Sequence, residues 1–285
     1  MSVKIIQDRL KTYQCQTKQD IEHAMREITQ EIALMSLSRS GFFKYAAFHG
    51  GSCLRILNGL NRFSEDLDFI LKSPNKKFNW KSFLKNVSKE FSMYGYELTL
   101  QDRSKAQDSV QAVFLKDDSI GKIMNLFPGL PNQRIRSIKV KLEIDTNPPE
   151  GSAWQSQYLD FPLPYPITVL DPDSAFALKN HALLCRSYVK GRDWWDFIWC
   201  ITKKYKIKFP LLSNAINQLG PWQGQGITVT KEWYVQQMKL KIEAINWKNT
   251  KADAARFLKP ADLQILDLWE KDFFLSYLDK LSGEL

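Results

Sequence analysis

The sequence predicts an α+β chain, a mixed sheet with flanking helices followed by an all-helical C-terminal part. Three observations carry this. Helical spacing and short strand-like runs interleave up to residue 145. One of those runs, Ile138–Asp145, alternates apolar and polar residues without a break. Beyond a Pro-rich stretch from Phe161 to Pro172, the apolar periodicity is helical almost to the C-terminus.

Residues 17–40 read as a helix, with Ile21, Met25, Ile28, Ile32 and Met35 on one stripe. Residues 44–48 suit a short buried strand. Gly50-Gly51-Ser52 then turns into a helix over Ser52–Leu60, for which Gly59 and Asn61 suit the C-terminal cap. Leu67–Leu71 reads as the next strand. An amphipathic helix, Trp80–Tyr94, carries Phe83, Leu84, Val87 and Phe91 on one side. Strands are expected over Tyr96–Leu100, Val110–Leu115, Ile120–Phe127 and Ile135–Asp145, the last ended by Pro148-Pro149. The Pro-rich stretch reads as a connector, dividing a domain over 1–165 from one over 166–285. Helices are expected over 173–189, 192–205, 209–219, 230–245 and 261–280.

The chain has 285 residues, 44% apolar and 25% charged, with a formal charge of +9 and a pI near 9.2. That is ordinary globular composition with a basic excess, which favours a polyanionic partner such as a nucleotide or nucleic acid. The same excess also serves solubility alone. Cys15, Cys53, Cys185 and Cys200 show no paired spacing and the three histidines do not cluster, so a zinc site or disulfide framework is not expected. The first residues are too charged for a signal peptide and no stretch is long and apolar enough to cross a bilayer. A cytoplasmic protein without a membrane role is expected.

Alternation puts Asp66 and Asp68 on one strand face, with Leu67 and Phe69 on the other. Adjacent carboxylates repel unless a cation lies between them. Mg2+ suits, because it takes oxygen ligands and is commonly completed by substrate phosphates. Gly50 and Gly51 let the backbone approach a ligand closely, and Ser52 stands where a helix N-terminus favours an anion. Glu143 is the leading candidate for a third carboxylate in a two-metal site and Asp145 the second. The competing reading of Glu143 is an exposed strand face of alternating charge.

Lys179 and Arg186 lie seven residues apart, on one helical face, with Lys190 and Arg192 just beyond; several cations of this kind would balance a triphosphate. Asp193 opens the following helix, with Asp196 on the same side; a first-turn acid there is equally favoured by the dipole. Trp194, Trp195, Phe197 and Trp199 read as core. Arg62, four residues before Asp66, is placed to pair with a carboxylate or with substrate phosphate. His49, beside the double glycine, reads as a packed residue rather than a general base.

Gly50-Gly51-Ser52 followed by Arg62-Phe63-Ser64-Glu65-Asp66-Leu67-Asp68-Phe69 resembles the AbiEii-type nucleotidyltransferase toxins, also described as abortive-infection (phage-defence) or MenT-like toxins of type IV toxin–antitoxin systems. The run Lys179…Arg186…Lys190-Gly191-Arg192-Asp193-Trp194-Trp195-Asp196 resembles their second signature. The resemblance implies a DNA polymerase β-like nucleotidyltransferase core, with a helical C-terminal domain completing the active site. It implies a nucleoside triphosphate and Mg2+ as ligands, release of pyrophosphate, and a cognate antitoxin encoded nearby. In MenT-like members the acceptor is the tRNA 3′ end, which blocks translation. Carried over by position, Ser52 holds the triphosphate with Gly51 beside it, Asp66 and Asp68 hold metal, Lys179 contacts phosphate and Asp193 is the late acidic residue.

The expected function is therefore an Mg2+-dependent nucleotidyltransferase toxin acting on RNA, with tRNA as the leading acceptor. Asp66, Asp68 and Glu143 hold metal, Ser52 and its helix N-terminus hold phosphates, and Lys179 and Arg186 balance charge. The basic segment Lys203–Lys208 would grip the RNA backbone. Two alternatives remain: transfer to a small molecule, such as an aminoglycoside, or to a protein, and a non-catalytic nucleotide- or RNA-binding module.

Overall fold

The computed structural model describes residues 2–102, 110–117 and 137–285. The strand expected over Ile120–Phe127, and residues 135 and 136 of the next one, lie outside the described residues. The chain forms two compact units. The first comprises Met1–Gly59, Phe63–Pro148 and Gln155–Val169; the second comprises Leu60–Arg62, Pro149–Trp154 and Leu170–Leu285.

The first unit is built on one sheet. Among the described residues its strands are β1 (Ala46–His49), β2 (Asp66–Leu71), β3 (Leu98–Asp102), β4 (Val110–Asp117), β5 (Ile138–Asp145), β6 (Trp154–Leu159) and β7 (Tyr165–Leu170). Their order is β3-β4-β5-β2-β1-β7-β6. β2 runs antiparallel to β1 and parallel to β5, so the sheet is mixed. The Pro-rich stretch read as a connector contains β7, which pairs in parallel with β1 through Phe48 and Val169. Pro162 and Pro164 precede the strand and Pro166 is its second residue, while β6 beyond it is an exposed edge, where polar residues are tolerated.

Helix α1 (Ser2–Lys11) and helix α2 (Lys18–Arg39) pack with helix α4 (Lys81–Met93). α2 starts where the sequence places it because Thr17 and Asp20 form a reciprocal capping box. It also lies against β5 and is buried on nearly every side, so its acids need partners: Glu27 takes Arg55 at 2.9 Å and the Tyr13 hydroxyl at 2.9 Å, while Glu31 takes Arg9 at 2.5 Å. The core below the sheet gathers Leu67, Phe69, Leu142 and Ile144 from the inward faces of β2 and β5, leaving Asp66, Asp68 and Glu143 on the other face. Helix α3 (Gly50–Asn58) links β1 to β2 and ends on Gly59 in the left-handed conformation.

The second unit is helical: α5 (Pro172–Cys185), α6 (Gly191–Thr202), α7 (Phe209–Gln218), α8 (Lys231–Glu243), α9 (Trp247–Ala255) and α10 (Lys271–Glu284). The helix expected over 261–280 is instead a 3-10 segment, Pro260–Leu268, followed by α10, and α9 was not anticipated. Trp194 packs edge-on against Trp247 and Phe274 at 5.4 and 5.3 Å, and Trp195, whose indole N–H donates to Asn61 at 3.1 Å, is equally buried. These two tryptophans are core, as their pattern suggests.

Candidate active site

Residue types and register build the site in the first unit. β1 delivers the chain into α3 through His49, its N-cap, and Gly50 at φ +80°. Helix α3 begins two residues earlier than the sequence suggests, so Gly50, Gly51 and Ser52 are its first three residues, and their amide N–H groups have no partner within the helix. Gly50 abuts β2: a Cβ at this position would lie 2.3 Å from Asp68 Oδ2. Ser52 is fully buried and its hydroxyl donates to the backbone carbonyl of Asp66. The glycine–serine turn and the acidic strand are thus joined twice, once by contact and once by a hydrogen bond. Any anion held by α3 is held by backbone N–H groups, because the Ser52 side chain is committed to β2.

Across the sheet, His49 stands opposite Asp68 on one side and Glu143 stands opposite it on the other. Asp66 faces Lys141 in the next row, and Asp145 lies level with Ile70, one row further on. Glu143 sits in register with the acidic pair, but its Oε1 is 2.5 Å from Lys141 Nζ. Asp145 Oδ1 accepts the amide of Asn147 at 2.8 Å, closing the turn after β5. Among the described residues no three His, Cys, Asp or Glu side chains converge closely enough to hold a metal. The structure therefore brings Glu143 to the right register position without joining it to a three-carboxylate cluster. What the chain offers is a pair of aspartates of hard oxygen donors on one strand face. That donor set fits a cation such as Mg2+, which keeps several waters, binds through one or two carboxylates and is completed by substrate phosphates.

The second unit gathers the other predicted residues into one ion network. Arg62 is 2% exposed and grips both carboxylate oxygens of Asp196 in a fork, at 2.7 Å each. Lys179, on α5, reaches Asp196 at 2.7 Å and Asp193 at 3.7 Å, and Arg186, the cap residue of α5, pairs with Asp193. Burial alone would push the Lys179 ammonium down, but Asp196 and Asp193 outweigh it and hold it above its ordinary value. Burial alone would raise the Asp196 carboxyl; Arg62 and Lys179 reverse that and hold it below its ordinary value. Arg192 lies over the Phe257 ring at 4.9 Å and Lys190 over Tyr188 at 5.6 Å.

Sequence reasoning missed the Arg62–Asp196 fork, which joins residues 134 positions apart. A signal existed: Asp193 and Asp196, three apart on a helix, present one acidic face that buried cations must match. Strict alternation puts Lys141 and Glu143 on one face of β5, as the reading of that face as alternating charge expects, and the two are paired.

The family described as "Nucleotidyl transferase AbiEii toxin, Type IV TA system" matches residues 32–276. No curated protein matches the sequence. Among solved structures, an H. pylori protein described provisionally as a nucleotidyltransferase aligns with a TM-score of 0.51 at 16% identity, over 94% of this chain and 95% of that one. JHP933 from Helicobacter pylori aligns with a TM-score of 0.52 at 16% identity, over 94% and 92%. At that identity the likeness is one of fold, a mixed sheet with flanking helices and a helical region.

Proposed function

The chain belongs to the AbiEii nucleotidyltransferase toxins of type IV toxin–antitoxin systems, and on that premise we propose that it transfers a nucleotide from a nucleoside triphosphate to RNA, with Mg2+. The acceptor proposed is the 3′ end of tRNA, whose modification would block translation. The observation that carries the reading is the juncture of α3 with β2. Three N-terminal amides of a helix stand beside two aspartates on one strand face, with Gly50 leaving room for the carboxylate of Asp68 and Ser52 bonded to Asp66.

In the proposed reaction the amides at Gly50, Gly51 and Ser52 hold the phosphate tail. Asp66 and Asp68 would hold Mg2+, with Glu143 next in register. When bound there, the ion would supply Lewis-acid polarisation of the α-phosphate and neutralise charge on the pyrophosphate. The acceptor 3′-oxygen forms a bond to the α-phosphorus as the bond from α-phosphorus to the bridging oxygen breaks. The hydroxyl proton passes to a carboxylate of the strand or to water. Lys179 is assigned to phosphate charge, with Arg186 beside it. Asp193, the late acidic residue of the second signature, and Asp196 fix the position of the Lys179 ammonium. The basic balance of the chain favours a polyanionic acceptor over a cationic small molecule.

The test is incubation of the full chain with labelled nucleoside triphosphates, Mg2+ and total tRNA. Label on tRNA with the wild type, its loss on chelation and its loss in Asp66→Ala/Asp68→Ala are expected. No transfer by the wild type, or undiminished transfer by the double variant, refutes the reading.

A further inference from the structure

An open groove of about 610 Å³ lies in the first unit, at the far end of the β1–β2 pair from the acidic row. Ala46 is opposite Leu71 and His49 is opposite Asp68, so the groove begins three residue steps, roughly 10 Å along the strands, from Asp68. Six residues set its chemistry. Lys44 and Lys77 are exposed, and Lys72 is half-buried with Nζ 2.7 Å from the Phe43 carbonyl oxygen. Tyr45 is 58% exposed. Phe78 and Phe83 stack at 6.0 Å, and the Tyr45 ring stands 6.3 Å from Phe83. No Asp or Glu lines the groove, and among the described residues none of the three lysines pairs with a carboxylate.

The groove carries three ammonium groups and no carboxylate, so its charge favours an anion. Aromatic surface beside them takes the flat face of a base. A free nucleotide calls for an enclosed pocket of convergent donors. Here the cations and the exposed ring stand along an open trough, which suits a continuous strand of phosphates. The bases of a duplex stack on each other and offer no free face, so the strand must be single.

Resting on the RNA-acceptor reading above, we infer that this groove is a second RNA contact, which binds a single-stranded ribonucleotide segment outside the catalytic row. Lys44 and Lys77 meet phosphates, Tyr45 stacks under a base, and Lys72 with the two phenylalanines forms the floor.

The test measures binding of a short, fluorescein-labelled, mixed-sequence single-stranded oligoribonucleotide to the full chain by anisotropy across a salt series. Lys44→Ala/Tyr45→Ala/Lys77→Ala changes only exposed side chains. It should weaken binding about tenfold or more. The slope of log affinity against log salt should shrink by about 1.4, about 0.7 for each lysine removed. Lys85→Ala/Lys89→Ala, which removes two exposed lysines outside the groove, should keep wild-type affinity. Asp66→Ala/Asp68→Ala should lose transfer and still bind the oligonucleotide. Failed transfer by the wild type, with weakened binding in the triple variant, would leave the groove standing and remove the catalytic reading. The inference is overturned by equal binding of triple variant and wild type, by no binding at all, or by a free mononucleotide that competes as well as the oligonucleotide.

Discussion

Gly50 shows how much one missing side chain can decide. Its φ of +80° disfavours any L side chain, and a Cβ there would meet the Asp68 carboxylate at 2.3 Å. Gly50→Ala is therefore expected to displace Asp68 and slow nucleotide transfer about a hundredfold in single-turnover assays. The chain should still fold, since the change sits at the half-buried rim of the site. Arg62 obeys a different logic. Replacing it by Ala strips a fully buried carboxylate of its two-pronged partner and leaves only Lys179, at a cost of about 3 kcal/mol by urea unfolding. Arg62→Lys should recover only part of that, because an ammonium cannot reproduce the fork. The two residues also mark what a sequence discloses. Asp66 and Asp68 could be placed on one face from the two-residue period of a strand, and the double glycine announced a tight turn. The fork was legible only in part: Arg62 is placed to meet a carboxylate and Asp193 and Asp196 share a helix face, but the halves are 134 residues apart and nothing local names the partner.

At the level of elements, short-range chemistry made α2 and α4 legible. α2 carries both its apolar stripe and its capping box in adjacent residues. β6 was hidden because an edge strand tolerates the polar residues that signal a loop, and β7 because prolines precede it and Pro166 stands at its second residue. α9 was hidden because its few buried residues, Thr250 and Ala254, form no apolar stripe. The reason for so slight a surface is close packing of backbone on backbone. A Cβ at Gly191 would lie 2.1 Å from the Thr250 carbonyl oxygen, and the Gly191 amide donates to Asp253 at 2.7 Å. Gly191→Ala should force α6 and α9 apart and cost about 1–3 kcal/mol or more, measured as a lowered urea midpoint. The glycine in the Lys190-Gly191-Arg192-Asp193 run thus has a packing role that its place in a signature does not reveal.

For the whole molecule, the buried charges set the pH range of stability. Asp196 and Asp171 are both held below their ordinary values: burial would raise each, but Arg62 and Lys179 act on the first and Lys208 on the second. A depressed folded value means the stabilisation is complete above the unfolded value, near 3.9, and is lost as pH falls through the lower folded value. Lys179 is raised, so its share is complete below about 10.4 and fades only above that. Urea midpoints should therefore fall steeply below about pH 4 from a plateau above about pH 5, and Glu31, whose carboxyl burial pushes up to about 7, tilts that plateau so that midpoints decline as pH rises through 7. Asp196→Asn should lower the plateau and flatten the acid limb; an unchanged limb would locate the acid sensitivity elsewhere.

The double joint between α3 and β2 carries an implication for inheritance. Since the carboxylate of Asp68 fills the space a side chain at position 50 would need, and Ser52 is spent on the main chain of Asp66, neither segment can drift alone. Descendants of this sequence that alter which nucleotide they accept must do so by remodelling the walls around the pair. An engineer grafting the cradle into another scaffold would have to move the bend and its neighbouring strand together, as a single spare part.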